Sequence, residues 1–163
     1  MLHRYGSLAF FLLLTVAAGY IGASFEAGEW YYETLKKPAW TPPAWLFGPV
    51  WAVLYPLMAI SAWKVWLTGH HERLGALTWW GIQLLLNAAW SWLFFGLHRI
   101  GWAWAEMTVL VLAVLLCTRA FFLLSRHAAY LMVPYLVWLI YAWVLNFTMW
   151  SMNGGVFGRL LFG

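Results

Sequence analysis

Three sets of side chains in this sequence have the types and spacing to hold a flat, mostly apolar molecule. Trp51 and Tyr55 are four apart; Gln83, Asn87 and Trp90 are four and three apart; Tyr135, Trp138, Ala142 and Asn146 are three, four and four apart. At 3.6 residues per turn each set falls on one face of a helix. Each joins an aromatic ring to a polar or small neighbour, and bulky groups flanking a small one leave a space with a few hydrogen-bonding edges. The plainer reading of Gln83 and Asn87 is hydrogen bonding between helices, because unpaired amides are costly in hydrocarbon. Many of the 15 tryptophans would also serve as an aromatic belt at a membrane surface. Trp79, Trp80, Trp102 and Trp104, beside loops, fit that belt best. Trp51 and Trp138 share stripes with cavity candidates and fit it less well.

Other reactive groups are few. Glu106 is the one acid expected inside an apolar segment, close enough to a loop to be solvated, and function and structure explain it equally well. Lys36 and Lys37 could meet the carboxylates of an anionic ligand or anchor to lipid headgroups. His3, His70, His71, His98 and His127 all fall at segment ends or in loops, so two histidines facing each other across a haem are not expected. No metal site is expected, and no phosphate loop or serine-histidine-acid arrangement is visible. The single cysteine, Cys117, excludes an intrachain disulfide.

The elements that must position these groups follow from composition. Of 163 residues, 65% are hydrophobic and 9% charged, far from the quarter expected of a soluble domain. The fold class is therefore all-α: a polytopic membrane protein, one domain over residues 1–163, with five transmembrane helices at about 8–25, 44–67, 74–97, 101–124 and 128–150. Thr15, Gly19 and Ala23 give the first helix a small-residue face for close packing. A lid loop covers about 26–43, and stretch 31–55 reads as the lid and rim of a binding site. Pro43 can sit in the first turn of the second helix, while Pro56 should kink it. His98 and Arg99 make a tight turn, so helices three and four are antiparallel neighbours. The segment 151–163 should fray or lie on the membrane surface. No heptads or inverted repeats appear. The net charge of +4 comes from Lys and Arg scattered at segment ends, which argues for membrane anchoring and against nucleic acid. Counting those residues on the two sides gives five against four, which leaves the orientation open.

Taken together, the pattern Y-x-x-L-x-K-P-x-W-x-P-P from Tyr32 with W-x-x-L-Y from Trp51, Q-L-x-L-N-x-x-W-S from Gln83, and P-Y-L-x-W from Pro134 with Leu145-Asn146 resembles the translocator protein family, also called the tryptophan-rich sensory or peripheral benzodiazepine receptor family. The match runs from about residue 31 to residue 150. The resemblance implies a five-helix bundle, commonly a homodimer, whose pocket binds porphyrins such as protoporphyrin IX, benzodiazepine-site ligands and, in animal members, cholesterol. Matched residue by residue, the ligand-binding positions are Tyr32, Pro42, Trp51, Asn87, Trp90, Trp138 and Ala142. The resemblance also implies light-dependent porphyrin degradation in some bacterial members, with Trp51 and Trp138 in the catalytic role of electron donors and no further cofactor.

Two departures stand out. Tyr31 takes the place of a tryptophan, with Trp30 one position earlier, and the cholesterol-recognition pattern is absent, with Phe147 and Ser151 where Tyr and Arg would stand. The missing pattern argues against cholesterol as the native ligand and fits a bacterial member in the cell membrane. Its expected partners are a porphyrin or other flat apolar molecule, membrane lipid and a second copy of the chain. The alternative function is a transporter of small amphipathic molecules such as porphyrins or lipids.

Overall fold

The computed structural model describes residues 2–25 and 27–154, with side chains from residue 5 onward. The regular elements among the described residues are all helical, with no strand among them. Five α-helices follow in order: α1 (Leu2–Ala23), α2 (Ala44–Leu67), α3 (Arg73–Ser91), α4 (Ile100–Leu124) and α5 (Arg126–Met152). Two π-helical turns punctuate them, Trp30–Thr34 in the first loop and Trp92–Gly96 after α3. Four helices are long and apolar enough to cross a membrane: α1 from Tyr5, α2, α4 and α5. α3 is not among them; it has 19 residues and contains Arg73, Gln83, Asn87 and Ser91.

Most expected boundaries hold to within two residues, and the departures have local causes. Pro43 is the extended N-cap of α2 (φ −62°, ψ 146°), not a first-turn residue, and the helix runs unbroken through Pro49 and Pro56. Arg126 and His127 belong to α5 itself, capped by Ser125, whose hydroxyl oxygen accepts the Ala128 amide at 3.3 Å. α1 begins at Leu2, six residues before the apolar run expected to define it. Helix 74–97 is in fact α3 followed by a wide turn, in which the Leu97 amide reaches back five residues to the Trp92 carbonyl at 2.9 Å. Residues 155–163, most of the tail expected to fray, lie outside the described residues; Ser151 and Met152 complete α5.

The core lies where α4 meets its neighbours. Ala103, Met107, Leu110, Val114, Cys117 and Phe121 are buried at spacings of four and three along α4, the rhythm of a helical seam. Lipid-facing residues such as Val109, Leu112 and Leu123 are just as apolar, so this rhythm does not show as a hydrophobic repeat. Trp80, expected in the belt, is 3% exposed and donates its indole N–H to the Met58 carbonyl at 3.1 Å. Trp79 and Trp102 do face outward, whereas Trp104 stacks between Trp143 and Trp150 on α5.

α1 approaches α2 and α3 through its glycines. A Cβ on Gly19 would lie 2.6 Å from Cε2 of Tyr55, and one on Gly22 would lie 3.2 Å from Oγ of Ser91. Thr15, one turn earlier, is fully buried with its hydroxyl bonded to carbonyls of its own helix. The small-residue face therefore draws α1 close while leaving Tyr55 room on α2.

Candidate functional site

A cavity of about 720 Å³ opens beneath the first loop and is lined by residues of all five helices and of the loop. That volume suits a drug-sized or cofactor-sized molecule. Tyr32, Trp51, Asn87, Trp90, Trp138 and Ala142 all line it. Pro42 does not: it is buried within the loop, away from the lining. Gly19, Gly22 and Ala23 of α1 and Met107 and Leu110 of α4 complete the walls. Sequence reasoning drew the site from the lid and from α2, α3 and α5 and left out α1 and α4, since small residues and plain aliphatics give no signal apart from packing.

Behind the walls a polar frame sets the positions of the rings. The Tyr55 hydroxyl donates to Asn87 Oδ1 at 3.1 Å and Asn87 Nδ2 donates to the Tyr135 hydroxyl at 3.1 Å, so one amide ties α2 to α3 and α5. Trp90 donates its indole N–H to Asn146 Oδ1 at 3.0 Å, and Asn146 Nδ2 donates to the Ile100 carbonyl at 3.1 Å. Trp51 stacks on Tyr55 at 4.9 Å and 27°, and Trp138 meets Phe47 edge-on at 5.8 Å. Of the polar stripe on α3, Asn87 and Trp90 reach the cavity. Gln83 is fully buried, and neither of its amide atoms has a partner among the described residues. Of the stripe on α5, Trp138 and Ala142 reach the cavity while Tyr135 and Asn146 brace the walls from behind.

The loop is a folded lid. Its π-helical turn buries Tyr31 against Phe94 and Phe95, and Trp30 lies flat on His98 at 4.1 Å and 13°. His98 holds a left-handed backbone (φ 54°) in the turn before α4, so the stack seals a strained corner. Lys37 donates to the Tyr31 carbonyl at 2.7 Å and sits 4.3 Å from the centre of the Tyr31 ring. Burial first, then the neighbouring phenols Tyr32 and Tyr141, raises the Tyr31 pKa above its ordinary value. The far end of the lid is clasped to α5. Asn153 Nδ2 donates to the Lys36 carbonyl at 2.9 Å, the Lys36 amide donates back to Asn153 Oδ1 at 3.0 Å, and the Tyr141 hydroxyl donates to the Trp40 carbonyl at 2.9 Å. Sequence reasoning missed Asn153; it follows a helix end and looks like an ordinary cap.

Glu106 precedes the cavity-lining Met107. Its carboxylate oxygens are buried without a hydrogen-bond partner among the described residues, so it is not the solvated acid expected. At the opposite end of the bundle the exposed side chains of His70, His71 and Glu72 bring possible ligand atoms within 4.8 Å of one another, remote from the cavity.

Comparison with known proteins matches the TspO/MBR family over residues 11–151. The chain belongs to the TspO/MBR family. It is 38% identical over 154 residues to protein CrtK of Rhodobacter capsulatus, covering 91% of this chain and 96% of that one. With the translocator protein of Homo sapiens it shares 39% over 144 residues, 83% of each chain. It also shares 39% over 149 residues with the tryptophan-rich sensory protein of Cereibacter sphaeroides, 89% of this chain and 92% of that one. As a TspO/MBR member with several long apolar helices, the chain is a multi-pass integral membrane protein.

Proposed function

We propose that this protein is a membrane receptor or sensor that takes a porphyrin-type tetrapyrrole such as protoporphyrin IX, or a benzodiazepine-site ligand, in the cavity beneath its lid. The observation that carries this reading is the cavity itself. It measures about 720 Å³, three indoles (Trp51, Trp90 and Trp138) stand in its walls, and Asn87 is its framed polar edge. A flat aromatic ligand would gain from stacking on those rings, while the exposed Lys36 on the lid would meet its carboxylates. The relative from Cereibacter sphaeroides is called a tryptophan-rich sensory protein, which agrees with a sensing role.

Under illumination Trp51 and Trp138 would donate single electrons to the excited ring, the first step of an oxidative degradation in which dioxygen is the terminal oxidant. We place α3 across the membrane with the other four helices, because it is bonded to α2 and α5 through Asn87 and continues into the turn Trp92–Gly96. A bacterial cell membrane and a homodimer belong to the same proposal.

The deciding experiment is a titration with protoporphyrin IX in darkness, followed by light. Saturable quenching of tryptophan fluorescence, weakened in Trp51→Phe and Trp138→Phe, is expected. Quenching that survives both substitutions and tracks only the amount of detergent would sink the proposal. Loss of porphyrin absorbance on illumination in the wild type, slowed in both variants, tests the degradation step separately.

A further inference from the structure

A second concavity lies far from the lid. Trp63, Lys64, Leu67 and Thr68 of the α2 end face Ser125 and His127 of the α5 start across an open groove of about 310 Å³. Ser61, Lys64 and Thr68 follow one another at three and four residues and so share a face of α2. Ser61 fixes that face, donating its buried hydroxyl to the Ala128 carbonyl at 2.7 Å. The groove walls are therefore held at a set separation. Inside it, half-buried Lys64 makes no hydrogen bond or ion pair among the described residues. The Ser125 oxygen accepts the Ala128 amide, which leaves the hydroxyl proton to donate outward. His127 is exposed at the rim.

The charge of the bundle is concentrated at this end. Among described side chains it carries Lys64, Arg73, Arg119 and Arg126 against Glu72, four bases less one acid. The lid end carries Lys36, Lys37 and Arg99 against Glu29 and Glu33, three less two, with the buried, unpartnered carboxyl of Glu106 left out of the count. Counting bases alone hides this contrast, because the acids cluster at the lid. A positive end with a framed groove of donors favours a compact anion held by charge-assisted hydrogen bonds.

We propose that this groove binds a phosphate group, held by Lys64, the Ser125 hydroxyl and His127, with Trp63 alongside. Phosphoglyceride headgroups and free phosphate share this chemistry, and the position at a bundle end favours the lipid. The proposal is independent of what fills the cavity. It is tested by native mass spectrometry of the full chain with phosphatidylglycerol titrated into phosphatidylcholine nanodiscs. Lys64→Gln should weaken phosphatidylglycerol retention about fivefold, the effect of roughly one cationic contact at a membrane surface. Arg119→Gln removes the same charge at the same end but outside the groove, and should change retention less than twofold.

Equal effects from both substitutions, or none from Lys64→Gln in a protein whose circular dichroism and melting are unchanged, would overturn the site. Displacement of the lipid by millimolar inorganic phosphate assigns the groove to the free anion. Retention through that challenge, together with the Lys64 effect, assigns it to the headgroup.

Discussion

Single residues carry the polar frame. Asn87 satisfies two tyrosine hydroxyls on different helices, so Asn87→Leu removes the partner of the cavity-lining Tyr55 hydroxyl and of the fully buried Tyr135 hydroxyl. We expect a loss of about 1–3 kcal/mol from the buried Tyr135 hydroxyl, seen as a lower melting temperature in detergent, and at least tenfold weaker porphyrin binding. An unchanged melting point would remove the frame from the account. Gln83 makes the opposite prediction, because its amide meets no partner among the described residues. Gln83→Leu should leave thermal stability equal or raised, and a fall of several degrees would reveal a water bridging the amide to its surroundings. The two amides are alike in sequence, both polar and one turn apart on a helix. Only their neighbours distinguish a bracket from an unpartnered group.

At the scale of elements, the lid and α1 govern access. The Asn153 clasp replaces a backbone pairing with a side-chain amide that bonds both the amide and the carbonyl of Lys36. Asn153→Ala should speed ligand dissociation about fivefold or more, measured by stopped-flow quenching, and raise hydrogen exchange at Lys36, with the affinity of the open cavity for small apolar probes preserved. A dissociation rate equal to wild type would show that Trp30 and Lys37 hold the lid without it. On α1, the contact of Gly19 with a ring edge grades substitutions by size. Gly19→Ala needs a shift at the end of the Tyr55 side chain and should bind ligand within a few-fold of wild type. Gly19→Val also crowds the cavity it lines and should reduce binding at least tenfold at unchanged helical content. If Gly19→Val binds as wild type does, α1 is not a wall.

At the scale of the whole molecule, five crossings would leave the 68–73 turn before α3 and the 97–99 turn after it on opposite sides of the membrane. Thr68→Cys and Arg99→Cys, each placed in a Cys117→Ala background, should then react with a membrane-impermeant maleimide from opposite faces of sealed vesicles. Labelling of both from the same face would show that α3 does not cross. Cys117 itself is fully buried in the α4 seam and should resist the reagent in the folded protein.

The sequence by itself determined the class of this protein and much of its frame. So low a charge content cannot make a soluble surface, and Pro43 followed by an apolar run placed α2 at the residues observed. The motifs led to the family, and six of the seven residues read as ligand-binding line one cavity. What tertiary structure alone decided is which side of each helix faces inward. In a bundle surrounded by lipid the outer face is as apolar as the core, so periodicity cannot separate Trp80, which is buried, from Trp79, which faces out. The π-helical turns, the Asn153 clasp and the contribution of α1 likewise depend on residues far apart in the chain meeting, and local sequence carries no record of such a meeting.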